Sequence, residues 1–160
     1  MTGEEFNAIF RERLPEISRF LARRLPHEAV EDMASDLFEI AWSKREKIPA
    51  GLEFPWLIKT ARYLISNFHR KQQGRSNILA TLQEPVAAPS AESIALADLE
   101  LASAWRKISE KDREVLGLWA LEGLEPEQIS AALGLTINAA NIRLTRARQN
   151  LLANFEKDND

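Results

Sequence analysis

Three groups of side chains stand at spacings that could do chemistry. Glu28, Asp32, Asp36 and Glu39 recur every three or four residues, which would line their carboxylates along one helix face. Paired carboxylates can serve acid–base catalysis or hold a divalent cation. Here no histidine, cysteine or glycine-rich loop accompanies them, so a solvated face or a docking surface for a basic protein is the better use. The second group lies in a stretch, Phe54 to Gln83, that contains no carboxylate at all. A helical wheel turns Trp56, Lys59, Tyr63, Ser66, Asn67 and Arg70 to one side, with Arg62 at the border and Lys71 and Arg75 beyond. Cations neutralise phosphates and exposed rings stack on unpaired bases, so the mixture suits a partly single-stranded nucleic acid. The plainer alternative is a solvated amphipathic helix whose Trp56 and Tyr63 pack on a neighbour.

The third group is near the C-terminal end. Asn138, Ala139, Asn141, Ile142, Arg143, Thr145 and Arg146 share the outward face of a last helix. Arginines can donate to guanine edges or to phosphates, asparagine can read adenine, and isoleucine can touch a thymine methyl. A terminal helical hairpin with surface arginines is the alternative. The chain has no cysteine and two histidines, His27 and His69, so disulfides are excluded and a zinc site would need carboxylates almost throughout. No cofactor, metal or catalytic site is expected, and His69 is expected to face phosphate or solvent.

Helices must position these groups, because no stretch alternates with period two for long enough to make a sheet. Phe6, Phe10, Leu14, Ile17, Leu21 and Leu25 mark one face of a first helix that tolerates or bends at Pro15. A second helix, from about Glu28 to Lys44, turns Val30, Met33, Leu37, Ile40 and Ala41 inward, opposite its acidic face. A third, starting at Pro55, keeps Phe54, Leu57, Ile58, Ala61, Leu64, Ile65 and Phe68 in one stripe. Between Gln72 and Glu92 the periodicity fades into a segment with Gly74, Pro85 and Pro89, which reads as a linker. Beyond it Leu99, Ala102, Trp105 and Ile108 suggest another helix, and Ser109 with Asp112 resembles a capping box for a helix holding Val115, Leu116 and Trp119. Pro126 to Leu133, a turn at Gly134, a cap at Thr136 and the inward set Ile137, Ala140, Leu144, Ala147 and Leu151 then spell a helix-turn-helix. The expectation is an all-α chain of two small helical domains, 1–72 and 93–160, joined by a flexible linker over 73–92, the second carrying the helix-turn-helix.

Charge bounds what the chain can grip. The net charge of −3 is unusual for a DNA-binding protein, whose affinity is mostly phosphate neutralisation. Residues 1–75 carry 13 Lys and Arg against 11 Asp and Glu, whereas residues 93–160 carry 8 against 11, so clustering has to do what the total does not. Apolar runs are too short to cross a bilayer, and the first ten residues lack the basic start and apolar core of a secretory signal. A cytoplasmic protein with no membrane insertion is expected.

These residues resemble a family. Glu31 to Trp42, EDMASDLFEIAW, resembles the polymerase-binding helix of region 2 in the extracytoplasmic-function (group 4) sigma factors of bacterial RNA polymerase. Pro55 to Arg62, PWLIKTAR, resembles their promoter-melting helix, and Asp112 to Leu116, Gln128 to Ser130 and Ile142 to Arg148 resemble region 4. The matches cover nearly the whole chain in the family's order. The resemblance implies that Asp32, Ser35, Asp36 and Glu39 contact the clamp helices of the polymerase beta-prime subunit. It implies that the segment Lys44 to Phe54 captures a flipped base of the minus-ten element while Trp56, Lys59, Arg62, Tyr63, Asn67, Arg70 and Lys71 contact that strand. Asn138, Ala139, Asn141, Ile142, Arg143 and Arg146 would read the minus-thirty-five duplex. Core polymerase, promoter DNA and, with no fused regulatory module expected, a separate anti-sigma factor are the implied partners. The chain departs from the family at Ser35, where glutamine is frequent, at Tyr63, where asparagine is usual, and at Glu125-Pro126, which replaces a serine-type helix start. Two rivals remain at this stage: a helix-turn-helix regulator that binds duplex operators without joining polymerase, and an adaptor that binds only proteins.

Overall fold

A computed structural model describes residues 1–74, 84–95 and 98–158. They are helical and irregular, with no strand among them. The chain divides into two compact units, Met1–Ala87 and Ala88–Asp160.

The first unit is built on three helices. Helix α1, Gly3–Ala22, starts at a capping box in which Thr2 Oγ1 accepts from Glu5 N and Glu5 accepts from Thr2 N. It runs through Pro15, whose exposed position lets one turn go without its hydrogen bond. Helix α2 is His27–Ser43 and α3 is Glu53–Gln72, with a short 3₁₀ turn at Arg45–Lys47 between them. Helix α3 begins two residues earlier than Pro55. The proline then occupies the third helical position, still among the residues whose N–H has no partner in the helix, so nothing is lost. Phe20, Ile17, Leu21, Leu37, Ile58 and Ile65 are fully buried where the three helices meet, and truncating any of the aliphatic ones to alanine costs about 2–5 kcal/mol in a packed core. Phe10 and Phe38 rings meet at 3.9 Å across α1 and α2, and Trp42 stands edge-on to Phe6 at 5.1 Å.

The second unit contains α4, Ala91–Ala95; α5, Leu99–Lys107; α6, Glu110–Ala120; α7, Pro126–Leu133; and α8, Ile137–Asp158. Its caps are mostly local side chains. Asp98 accepts from Glu100 N and Leu101 N, Ser109 Oγ from Asp112 N, and Thr136 Oγ1 from Ala139 N. At α7 the task falls to Gln128, whose Oε1 accepts from Glu125 N at 3.0 Å, with Pro126 in the first turn. Gly134 closes α7 at φ +68°, the left-handed region, and Leu135 N returns to Ser130 O. That turn sets α7 against α8 and buries Ile129, Ala132, Leu133, Ala140, Leu144 and Ala147. Leu99, expected inward, is exposed at the first position of α5.

The segment expected to be a linker divides in two. Its residues 75–83, Arg75 included, lie outside the described residues, but Glu84 to Glu92 is not a free spacer. Arg24 Nε donates to Ala87 O at 2.8 Å and Arg62 Nη2 to Pro85 O at 2.6 Å, which fastens this stretch to the first unit. On the other side Trp105 Nε1 donates to Pro89 O at 3.3 Å, and α4 packs on α5 in the second unit. Buried carbonyls need donors, and three long side chains supply them.

Candidate nucleic-acid interface

On α2, burial of Ala34, Leu37, Phe38 and Ala41 turns the other side of the helix to solvent. Asp32, Ser35, Asp36 and Glu39 are all exposed, on a helix whose last turn has no basic residue. Beside them an open groove of about 410 Å³ between α1 and α2 is lined by apolar Phe10, Leu14, Val30 and Phe38 together with Glu31 and Ser35. An acidic helix edge next to an apolar groove can take a basic, amphipathic protein segment. It cannot favour DNA.

The face of α3 splits in two. Burial of Phe54, Leu57, Ile58, Ala61 and Ile65 leaves Lys59, Tyr63, Asn67 and Lys71 exposed, Tyr63 to 52%. Trp56 is half-buried. Arg70 is also partly covered; its Nη2 donates to Asn67 Oδ1, so these two side chains orient each other, while its Nε is buried with no partner of its own. Arg62 departs from expectation. At 3% exposure its guanidinium points into the unit and bonds the Pro85 carbonyl, so it belongs to the interior and not to a strand-binding face. One position of rotation decides this: residue 62 adjoins Ala61 and Ile65 on the buried stripe, and the long side chain turns inward to a carbonyl. His69 is exposed, as expected, and its Nε2 also lies 2.9 Å from Arg24 O. What remains outside is an aromatic ring flanked by amines and amides, a surface for stacking and for single phosphates.

Before α3, Arg45 folds over the Trp42 ring at 4.0 Å and donates from Nη1 to Trp42 O at 2.8 Å, fixing the start of the segment from Lys44 to Phe54. Glu53 Oε1 accepts from Gly51 N at the segment's end. Spacing alone did not single out Arg45 or Arg24 as structural cations. Their apolar partners, Trp42 and Phe20, were visible in the sequence, but nothing local told which cation would stack on which ring.

On α8 the outward residues stay outward. Asn138, Asn141, Ile142 and Arg146 are exposed, and Ala139 and Arg143 are half-exposed, all in the first half of the helix behind the Gly134 turn. Ile142 is 42% exposed, where it could touch a thymine methyl. Arg148, further along, lies over the Trp119 ring at 4.7 Å and so is tied to its own unit. The shape is that of a recognition helix presented by a helix-turn-helix. Among the described residues no cluster of His, Cys, Asp and Glu could hold a metal ion, and no helix is long and apolar enough to cross a membrane.

With these surfaces in place, likeness to known proteins can be set beside them. The family described as Sigma-70, region 4 matches residues 98–151, the span that holds α5 to α7 and the larger part of α8. The chain is 33% identical over 132 residues to a probable RNA polymerase sigma factor, RfaY, of Xanthomonas campestris pv. campestris; the match takes in 75% of this chain and 32% of that protein. It is 28% identical over 149 residues to the RNA polymerase sigma factor CnrH of Cupriavidus metallidurans, covering 85% of this chain and 78% of CnrH. The chain thus spans about a third of the length of the first relative and most of the second. In fold it is similar to the sigma factor RpoE of Bartonella quintana, solved in complex with the anti-sigma factor NepR, with a TM-score of 0.66, 24% identity, and 96% of this chain and 98% of that one covered.

Proposed function

We propose that this chain is an RNA polymerase sigma factor of the extracytoplasmic-function type, which joins core polymerase and directs promoter-specific initiation; the region 4 match over residues 98–151 and the likeness to sigma factors of other bacteria support this reading. The first unit docks through Asp32, Ser35, Asp36 and Glu39 and contacts the melted minus-ten strand through Lys59, Tyr63, Asn67, Arg70 and Lys71, with Trp56 at the edge. The second unit reads the minus-thirty-five duplex through Asn138, Ala139, Asn141, Ile142, Arg143 and Arg146. No bond is made or broken by the chain itself.

The observation that carries this proposal is the exposed acidic face of α2 in the same small unit as the exposed Tyr63 and Lys59. A protein that only gripped duplex operators would have no use for those carboxylates, which repel phosphate. A subunit that must seat on another protein while handling DNA needs both. The last 68 residues, 93–160, are net acidic, so the free protein binds duplex weakly and gains firm binding once both units are held on one assembly. A relative of like fold is solved with an anti-sigma factor, which supports a separate anti-sigma protein as the regulator of this chain as well.

The test is run-off transcription from a library of promoter fragments with purified bacterial core polymerase, with and without this protein, using the wild type and Asp32→Ala/Asp36→Ala. Initiation at defined sites that depends on the protein and falls about 30-fold or more in the double variant is expected, since losing paired charges at an interface costs about 2–5 kcal/mol. Both residues are exposed, so the variant keeps its circular dichroism spectrum. Tight, specific binding of the isolated protein to duplex DNA, with no initiation by a polymerase that works with another sigma factor, would point to the operator-binding regulator instead.

A further inference from the structure

We infer that residues 84–87 are a latch, held by the buried guanidinium groups of Arg24 and Arg62, that sets the length of the tether between the two units. Both arginines are nearly inaccessible, 4% and 3% exposed, and each donates to a backbone carbonyl of this one short stretch. Arg24 is further fixed by a bond from Nη1 to Phe20 O at 2.9 Å and by stacking at 3.8 Å on the Phe20 ring, which is itself fully buried. Pro85, Ala87 and Pro89 are buried as well, whereas Glu84 and Ser90 are exposed. A passive linker does not bury alternate residues or draw two arginines out of water.

The consequence is one of reach. Ala87 O is held by the first unit and Pro89 O by the second, so Ala88 alone lies between the anchors. Two residue steps give about 7 Å of chain. With the latch open, the most the 15 residues 74–88, which follow Gln73 at the C-cap of α3, can span is about 50 Å. Units of this size are about 30 Å across. Elements centred about 25 base pairs apart lie on the order of 85 Å apart along straight B-form DNA. Latched, the two units fall short of that span; released, they cover it. This part of the inference rests on the promoter-reading function proposed above, whereas the latch itself does not.

The absence of cysteine allows a clean distance measurement. Spin labels placed through Asn7→Cys on α1 and Gln149→Cys on α8, both exposed, report the separation of the units in the full chain. Eight Gly and Ser residues inserted after Ile78 lie between two anchors of the first unit and leave the distance distribution as it was. The same insertion after Ala88 lies between the units and broadens the distribution by up to about 25 Å. Adding Arg24→Met and Arg62→Met, in a variant shown to keep its helical content, makes the Ile78 insertion broaden it too. If the Ile78 insertion broadens the distribution with both arginines present, or the Ala88 insertion changes nothing, the latch is refuted. Neither arm involves polymerase or DNA. If the insertions behave as expected and transcription fails, the latch stands and the promoter function falls; the reverse pattern separates them the other way.

Discussion

Helices α3 and α8 both carry basic residues and both were expected to face nucleic acid, yet they spend their cations differently. On α3, Arg62 goes inside to a carbonyl, Arg70 leans on Asn67, and the open face is led by Tyr63 and Lys59. On α8, Arg143 and Arg146 keep their guanidinium groups on the outer side, next to Asn141 and Ile142. A helix whose open face sets a bare ring among single-point lysines is well made for an unstacked base and its phosphates. One with forked donors and an apolar contact at its start is made for a major groove. The contrast teaches that counting Lys and Arg on a wheel does not measure DNA binding; the partner each cation finds inside the protein does.

The sharpest way to break the contrast is to remove both outer arginines of α8. Arg143→Ala/Arg146→Ala should cost about 2–6 kcal/mol of minus-thirty-five duplex affinity, taking about 1–3 for each good base contact, and leave binding of a melted minus-ten strand unchanged in fluorescence anisotropy with the polymerase complex. Tyr63→Ala should do the opposite, losing about 1–3 kcal/mol on the melted strand and nothing on the duplex, with Tyr63→Phe close to wild type if stacking is what the ring supplies. Arg62→Met belongs to neither class. Leaving the Pro85 carbonyl without this donor should lower stability by about 1–3 kcal/mol, seen as an earlier urea midpoint for the first unit, whereas Lys59→Met on the exposed face should leave that midpoint in place. Smallest is Gly134→Ala. An alanine held at φ +68° costs about 1–2 kcal/mol and weakens the turn that presents α8, without touching any residue proposed to meet DNA.

Much of this was legible before any coordinates. The helix-turn-helix was readable because Gly134, Thr136 and the spacing of Leu133, Ala140 and Leu144 all demand the same turn, and each does what its chemistry predicts. The acidic face of α2 was readable because period and burial agree there. Arg62 was not, because an arginine at the border of an apolar stripe can turn either way; the deciding partner, Pro85, is 23 residues distant in sequence. The same long-range bonding hid the role of Glu84 to Ala87. Prolines and small residues signal a linker by composition, and only the fold shows that two buried arginines hold their carbonyls.

The central claim is that the two units read two forms of DNA on one polymerase. Permanganate reactivity of unpaired thymines, measured together with nuclease footprinting on one promoter fragment, tests it most directly. With core polymerase and wild-type protein, the account predicts reactive thymines at the minus-ten element and protection at minus-thirty-five, the first lost on Tyr63→Ala and the second on Arg143→Ala/Arg146→Ala. Protection by the free protein alone, with no reactive thymines when polymerase is added, would contradict it.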